Sequence, residues 1–299
     1  MSDSGQLYGC VEAGGTKFVA AIARSPAEII DTARFDTISP GETIGATIAW
    51  LKAAAIKHGP LRAIGIASFG PLELNREAAN WGHITTTTKA GWSDCDFAGR
   101  MAREFGGPVG FDTDVNGAAL AEARWGAGRD AKVSIYITVG TGIGGGAIVD
   151  GTPLLGLSHP EMGHIRPARH PDDLTFAGVC PFHGDCLEGL ASGPAIKARW
   201  GASLSELGPE HIANDIIAHY LAQMAVTLQS VMEPGRIVFG GGVLGAPGLL
   251  LRIQNEAMRL GSGYFRGRAN DIIVAPGLGD QSGLLGGLAL AMDAADGKF

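Results

Sequence analysis

The chain has 299 residues, 45% of them hydrophobic, which suits two lobes rather than one small core. Its formal charge of −7 excludes the electropositive surface of a general nucleic-acid binder, and no apolar run approaches the roughly 20 residues that span a bilayer. Residues 1–6 are small and polar with no leader-peptide pattern, so a cytoplasmic protein is expected, in which four cysteines point to metal binding before disulfides.

From the N-terminus, residues 7–23 read as strand, a turn at Gly14 and Gly15, and a return strand, which is a β-hairpin. Apolar residues at helical spacing predict a helix over 43–58. A strand at 63–68, a helix at 97–105, a strand at 109–112 and an alanine-rich helix at 116–126 follow. The second half starts the same way: a strand at 133–139, a glycine turn over 140–146 and a return strand over 146–149. Residues 156–189 read as irregular, then helices at 190–200 and 212–232, strands at 236–239 and 272–275, and a last helix at 282–294. Two halves opening alike suggest an internal repeat and two related α/β lobes. With 47 glycines and no collagen period, many tight turns and close backbone approaches are expected.

Gly14, Gly15, Thr16 and Lys17 place two glycines, a hydroxyl and a cation in one hairpin turn, which lets phosphate oxygens reach backbone N–H groups. Gly140, Thr141 and Gly142 offer the same chemistry at the corresponding place in the second half. A lone turn of this kind reads equally well as a plain hairpin; two in register favour phosphate binding. Gly140, Gly142 and Gly145 match the dinucleotide fingerprint formally, but a strand follows where that motif needs a helix. No GxxxxGK[ST] loop and no protein-kinase HRD or DFG element occurs. Gly241 and Gly242 follow a strand, where they could pass an adenine or ribose or simply make a strand-to-helix turn.

Asp112, Asp114 and Asn116 crowd the boundary between a strand and a helix. One reading is that one of them caps the helix; the other is that Asp114 serves as a general base for a hydroxyl nucleophile. Cys180, His183 and Cys186 form C-x2-H-x2-C, three soft or imidazole donors within seven residues, which points to tetrahedral zinc. His159, His164 and His170 are the upstream candidates for the fourth ligand. Cys10 and Cys95 lie far away in sequence and read as ordinary thiols.

Taken together, Glu-Ala-Gly-Gly-Thr-Lys-Phe at 12–18, Ser-Phe-Gly-Pro at 68–71, Asp-Thr-Asp-Val-Asn at 112–116 and His-Pro-Glu-Met-Gly-His at 159–164 resemble the ROK family of bacterial sugar kinases, its fructokinase branch in particular. The resemblance covers essentially the whole chain. It implies two actin-like ATPase (ribonuclease H-like) lobes around a central cleft: 1–115 with the helix 280–299, and 116–279 carrying a zinc-binding segment at 159–188. It implies Mg2+ and ATP as phosphoryl donor, a hexose such as D-fructose as acceptor, Asp114 as base, and a homodimer. By the same resemblance Gly70, Pro71, Thr113, Glu161, His164 and Glu188 contact the sugar. His164 becomes the fourth zinc ligand, with the metal ordering one face of the sugar pocket. Three departures stand out: Glu12 where many members have Asp, Thr113 where Asn is common, and His183 where a cysteine is usual.

Overall fold

The computed structural model describes residues 5–298, so the polar start read at 1–6 falls mostly outside the described residues. In chain order the elements are β1 (Leu7–Ala13), β2 (Lys17–Ser25), β3 (Glu28–Asp36), α1 (Pro40–His58), β4 (Leu61–Ser68), β5 (His83–Ile84), β6 (Cys95–Asp96), α2 (Ala98–Phe105), β7 (Val109–Thr113) and α3 (Asp114–Trp125). Then come β8 (Val133–Val139), β9 (Ile143–Val149), β10 (Thr152–Pro153), α4 (Leu187–Ala191), α5 (Gly193–Trp200), α6 (Leu204–Leu207) and α7 (Ala213–Met232). The chain continues with β11 (Arg236–Gly240), α8 (Leu249–Gly261), α9 (Ala269–Ile272), β12 (Ile273–Val274) and α10 (Ser282–Ala295).

Two units emerge. The first runs to Ala121 and adds Leu154–His159 and the segment from Asp280; the second takes Glu122–Pro153 and Pro160–Gly279. The division falls inside α3, at 121/122, and not at the expected 115/116. A side chain at Gly117 would press on Ala67 of β4, whereas the Glu122 carboxylate accepts N–H bonds from Ala127, Gly277 and Leu278 of the second unit.

The first unit holds a five-stranded sheet in the order β3-β2-β1-β4-β7, the second one in the order β10-β9-β8-β11-β12. In each, an antiparallel three-stranded meander continues into two parallel strands, so the repeat read from the two glycine hairpins extends to the whole sheet. The strand β3 was not anticipated: it is an edge strand whose residues are half-buried or exposed, so its hydrophobic alternation is weak. Phe18, Trp92, Phe97 and Met101 centre the first core. Trp92 is fully buried and its indole N–H donates to the Ile38 carbonyl, which makes it a core aromatic.

The helix α10 lies on β1, β4 and β7, backbone close to backbone. A side chain on Gly65 of β4 would run into the Gly287 carbonyl oxygen, and one on Gly110 of β7 into that of Leu290. In the second unit the glycine turn is shorter than expected. It spans only Gly140–Gly142, and Gly144, Gly145 and Gly146 lie inside β9, paired with Thr138, Ile137 and Tyr136. Gly145 serves packing, since Met162 sits where its side chain would be, and Gly163 abuts the Ile143 carbonyl. The helix expected over 190–200 is two helices, because Ser192 ends α4 and starts α5 by accepting the Ala195 N–H, with Pro194 in the first turn. No helix among the described residues is long and apolar enough to cross a membrane.

Candidate functional site

In the first unit the β1–β2 turn is closed by the Gly14 N–H on the Lys17 carbonyl, 2.9 Å, and by Thr37, whose hydroxyl donates to the Gly14 carbonyl at 2.7 Å. Gly15, Thr16 and Lys17 are exposed at its tip. Glu12, next to the turn, has its carboxyl pushed up by burial, opposed by Lys17 and Arg34.

Thr113 ends β7 and caps α3: its hydroxyl accepts the Asn116 N–H at 3.1 Å. The cap is therefore the threonine and none of the three acidic or amide residues considered for it. Asp112 is buried and accepts from the Thr113 N–H and the Asn116 amide, at 2.7 and 2.8 Å. Burial raises its carboxyl to about 6 despite those two donors. Asp114, left free of capping duty, is the first residue of α3 and half-exposed, with one oxygen 2.9 Å from the Val115 N–H. The first turn of a helix favours a carboxylate electrostatically. Gly70 and Pro71 sit beyond β4, where Pro71 offers its carbonyl to the Thr85 N–H and hydroxyl at 2.8 and 3.1 Å.

In the second unit the turn at Gly140–Gly142 borders a cavity of about 470 Å³. Its walls include Thr141, Pro194, Ile196, Leu204 and Val243, with Ser203 and Ser205 at hand for hydrogen bonds. Such an apolar slot with a few polar groups suits a flat ring system. Of the other expected phosphate-side residues, Gly242 lines this cavity, whereas Gly241 has φ 90° and packs on the Val139 backbone.

Glu188 does something spacing did not suggest. Its Oε2 accepts the Ile143 N–H at 2.9 Å, and a side chain on Gly142 would come within 2.6 Å of the same oxygen. The Gly193 N–H also holds the Gly140 carbonyl, at 2.8 Å. The start of α4 and the start of α5 thus grip the turn from two sides. Glu188→Ala leaves a half-buried donor unmade, so amide exchange over 140–143 is expected to quicken about tenfold, whereas Glu188→Gln keeps an acceptor and holds it within about threefold. Hydrogen–deuterium exchange of the two variants checks this; no change in the Ala variant would remove the grip on the turn.

Four donor residues gather where the C-x2-H-x2-C motif meets the 3-10 turn Met162–His164. His164, Cys180, His183 and Cys186 bring their donor atoms within 4.8 Å of one another. His164 Nδ1 lies 3.4 Å from Cys186 Sγ, 3.8 Å from Cys180 Sγ and 3.2 Å from His183 Nδ1, and His183 Nδ1 lies 3.7 Å from Cys180 Sγ. Zinc bonds of about 2.0–2.3 Å in a tetrahedron need donors about 3.3–3.8 Å apart, so the set fits that ion. The other ring nitrogen of His164 is 4.0 Å from the Glu161 carboxylate. His159 and His170 are elsewhere: the first accepts the Leu72 N–H, the second accepts the Asp172 N–H and meets His219 edge to face. Cys10 is buried, its thiol donating to the Tyr8 carbonyl and pushed up by burial. Cys95 is half-buried, also raised by burial, to about 11.

The ROK family model matches residues 8–294. The chain is 48% identical to a fructokinase from Zymomonas mobilis over 98% of its length and 99% of that protein's. The fold is similar to that of a ROK hexokinase from Thermus thermophilus, at a TM-score of 0.79 and 27% identity, covering 96% of this chain and 98% of that one. It is also similar to a ROK glucokinase from Streptomyces griseus solved with glucose and AMPPNP, at a TM-score of 0.75 and 25% identity, covering 96% and 99%.

Proposed function

The chain belongs to the ROK family, and from that premise we propose that it is a fructokinase, transferring the γ-phosphoryl group of ATP to a hydroxyl of D-fructose. The observation that carries the reading is 48% identity to a fructokinase over nearly the whole chain, against 27% and 25% to a hexokinase and a glucokinase.

In this reading Asp114 takes the proton of the attacking hydroxyl, in the manner of a positioned general base. The turns at Gly14–Lys17 and Gly140–Gly142 hold phosphate oxygens by backbone N–H groups, and the cavity beside Thr141 and Pro194 receives the adenine. Phosphoryl transfer asks the protein mainly for positioning and charge stabilisation. Glu12 is an oxygen donor beside the first turn and fits a hard cation directly or through water; Mg2+ bound with the phosphates would neutralise their charge. Gly70, Pro71, Thr113, Glu161, His164 and Glu188 are the sugar contacts, and the Cys/His cluster would hold zinc, which would keep His164 oriented. The active form is a homodimer.

ADP release measured across fructose, mannose, glucose and N-acetylmannosamine tests the substrate. Fructose is expected to give the highest kcat/KM, by about tenfold or more over a hexose differing in one pocket contact. A higher value for any of the others would replace fructose as the substrate.

A further inference from the structure

His159 lies in a six-residue segment, Leu154–His159, that groups with the first unit although both its flanks belong to the second. Residues 154–158 are exposed, and the segment folds on itself through the Gly156 N–H on the Ser158 carbonyl, 2.8 Å. His159 alone turns inward. Its Nε2 stands 3.2 Å from the Leu72 N–H and accepts that hydrogen bond across 87 residues of sequence. The same nitrogen is 3.6 Å from where a side chain on Gly70 would start, so the ring edge covers the Gly70 backbone.

The turn it touches is otherwise held from two other sides. The Phe69 N–H donates to the Ala13 carbonyl at 2.8 Å, immediately before the β1–β2 turn, and the Pro71 carbonyl accepts from Thr85. Leu72 is buried and bridges to Ile84, so its N–H has no water to turn to once the imidazole is removed.

We infer that His159 is a positioning residue for the sugar turn: it fixes Gly70 and Pro71 through the Leu72 N–H and thereby sets sugar affinity. The inference rests on the sugar-kinase reading for its consequence but not for its geometry. Lost precision at a binding turn raises KM for the sugar, because the donor left unpaired must be re-paired or the turn must shift. The bond it accepts comes from the sugar turn and not from either phosphate turn, so ATP KM should change little.

The test compares His159→Ala with His159→Gln, whose Oε1 reaches where Nε2 stood and can accept the same bond. Expected for Ala are about a tenfold rise in sugar KM, with kcat and ATP KM within about twofold, and faster amide exchange of peptides covering 69–74. Expected for Gln is recovery of both. Unchanged sugar KM and exchange in the Ala variant overturn the inference. So does a common loss of sugar KM, ATP KM and melting temperature that Gln fails to rescue, which would mark His159 as a general packing residue. If the wild type phosphorylates no hexose, the kinase reading fails, while exchange at 69–74 still decides whether His159 seats the turn.

Discussion

Replacing Asp114 by Asn is expected to lower kcat by about 10² to 10⁴, the usual contribution of a positioned general base, with little change in sugar KM. The fold should survive. The helix is capped by the Thr113 hydroxyl, and Asn can still accept the Val115 N–H that Asp114 now takes. Asp112 is the necessary control. It is buried, spends one oxygen on Thr113 and Asn116, and holds its carboxyl at about 6. Asp112→Ala should therefore lower the melting temperature by stranding the Asn116 amide, with activity falling only as far as folded protein is lost. ADP release and thermal melts on the two variants separate the roles. Full turnover by the Asp114→Asn enzyme would remove Asp114 from the mechanism.

The second large effect concerns the Cys/His cluster. Protein purified without chelator is expected to carry one zinc per chain, and Cys186→Ser to carry almost none. If free zinc exceeds its dissociation constant about a thousandfold, the ion contributes roughly 4 kcal/mol to stability. For a unit of this size that corresponds to a fall of about 10 °C in melting temperature on metal removal. The damage should be local. Residues 169–176 have a second anchor in buried Asp173, which accepts the Tyr220 hydroxyl at 2.6 Å and pairs with Arg199 at 3.0 Å. Arg199 in turn stacks on Phe176. Amide exchange should rise over 178–186 and stay slow over 169–176. Metal analysis that finds no zinc, together with a melt indifferent to chelator, would refute the site. Burial and Cys180 raise the Cys186 thiol to about 11, so zinc binding near neutral pH would have to displace its proton.

Local spacing made some of this legible and not the rest. The two glycine hairpins and the C-x2-H-x2-C run are short-range patterns, and both families of elements were readable at once. The fourth donor was not: three upstream histidines are equivalent by spacing, and only folding sends His159 to Leu72, His170 to Asp172 and His164 to the cysteines. The cap on α3 was not legible for a related reason. Asp, Asn and Thr all cap well, and the choice depended on where β7 ended. The run Gly144–Gly146 looked like loop because glycine is rare in strands; at Gly145 the cause is the close approach of Met162, invisible from within the run. The grip of Glu188 on Ile143 spans 45 residues and had no local signature at all.

The glycine face of α10 has a consequence for biosynthesis. The ribosome delivers the first sheet long before it delivers the helix that covers it, since α10 starts at Ser282 and β7 ends at Thr113. At roughly 5–20 residues per second the bare glycine groove of β1, β4 and β7 waits on the order of ten to thirty seconds for its lid. The second unit, made between Glu122 and Gly279 with only Leu154–His159 interrupting it, can meanwhile assemble on schedule. The half of the molecule that is made first is therefore the half that finishes last, and the interval exposes a sheet surface to chaperones.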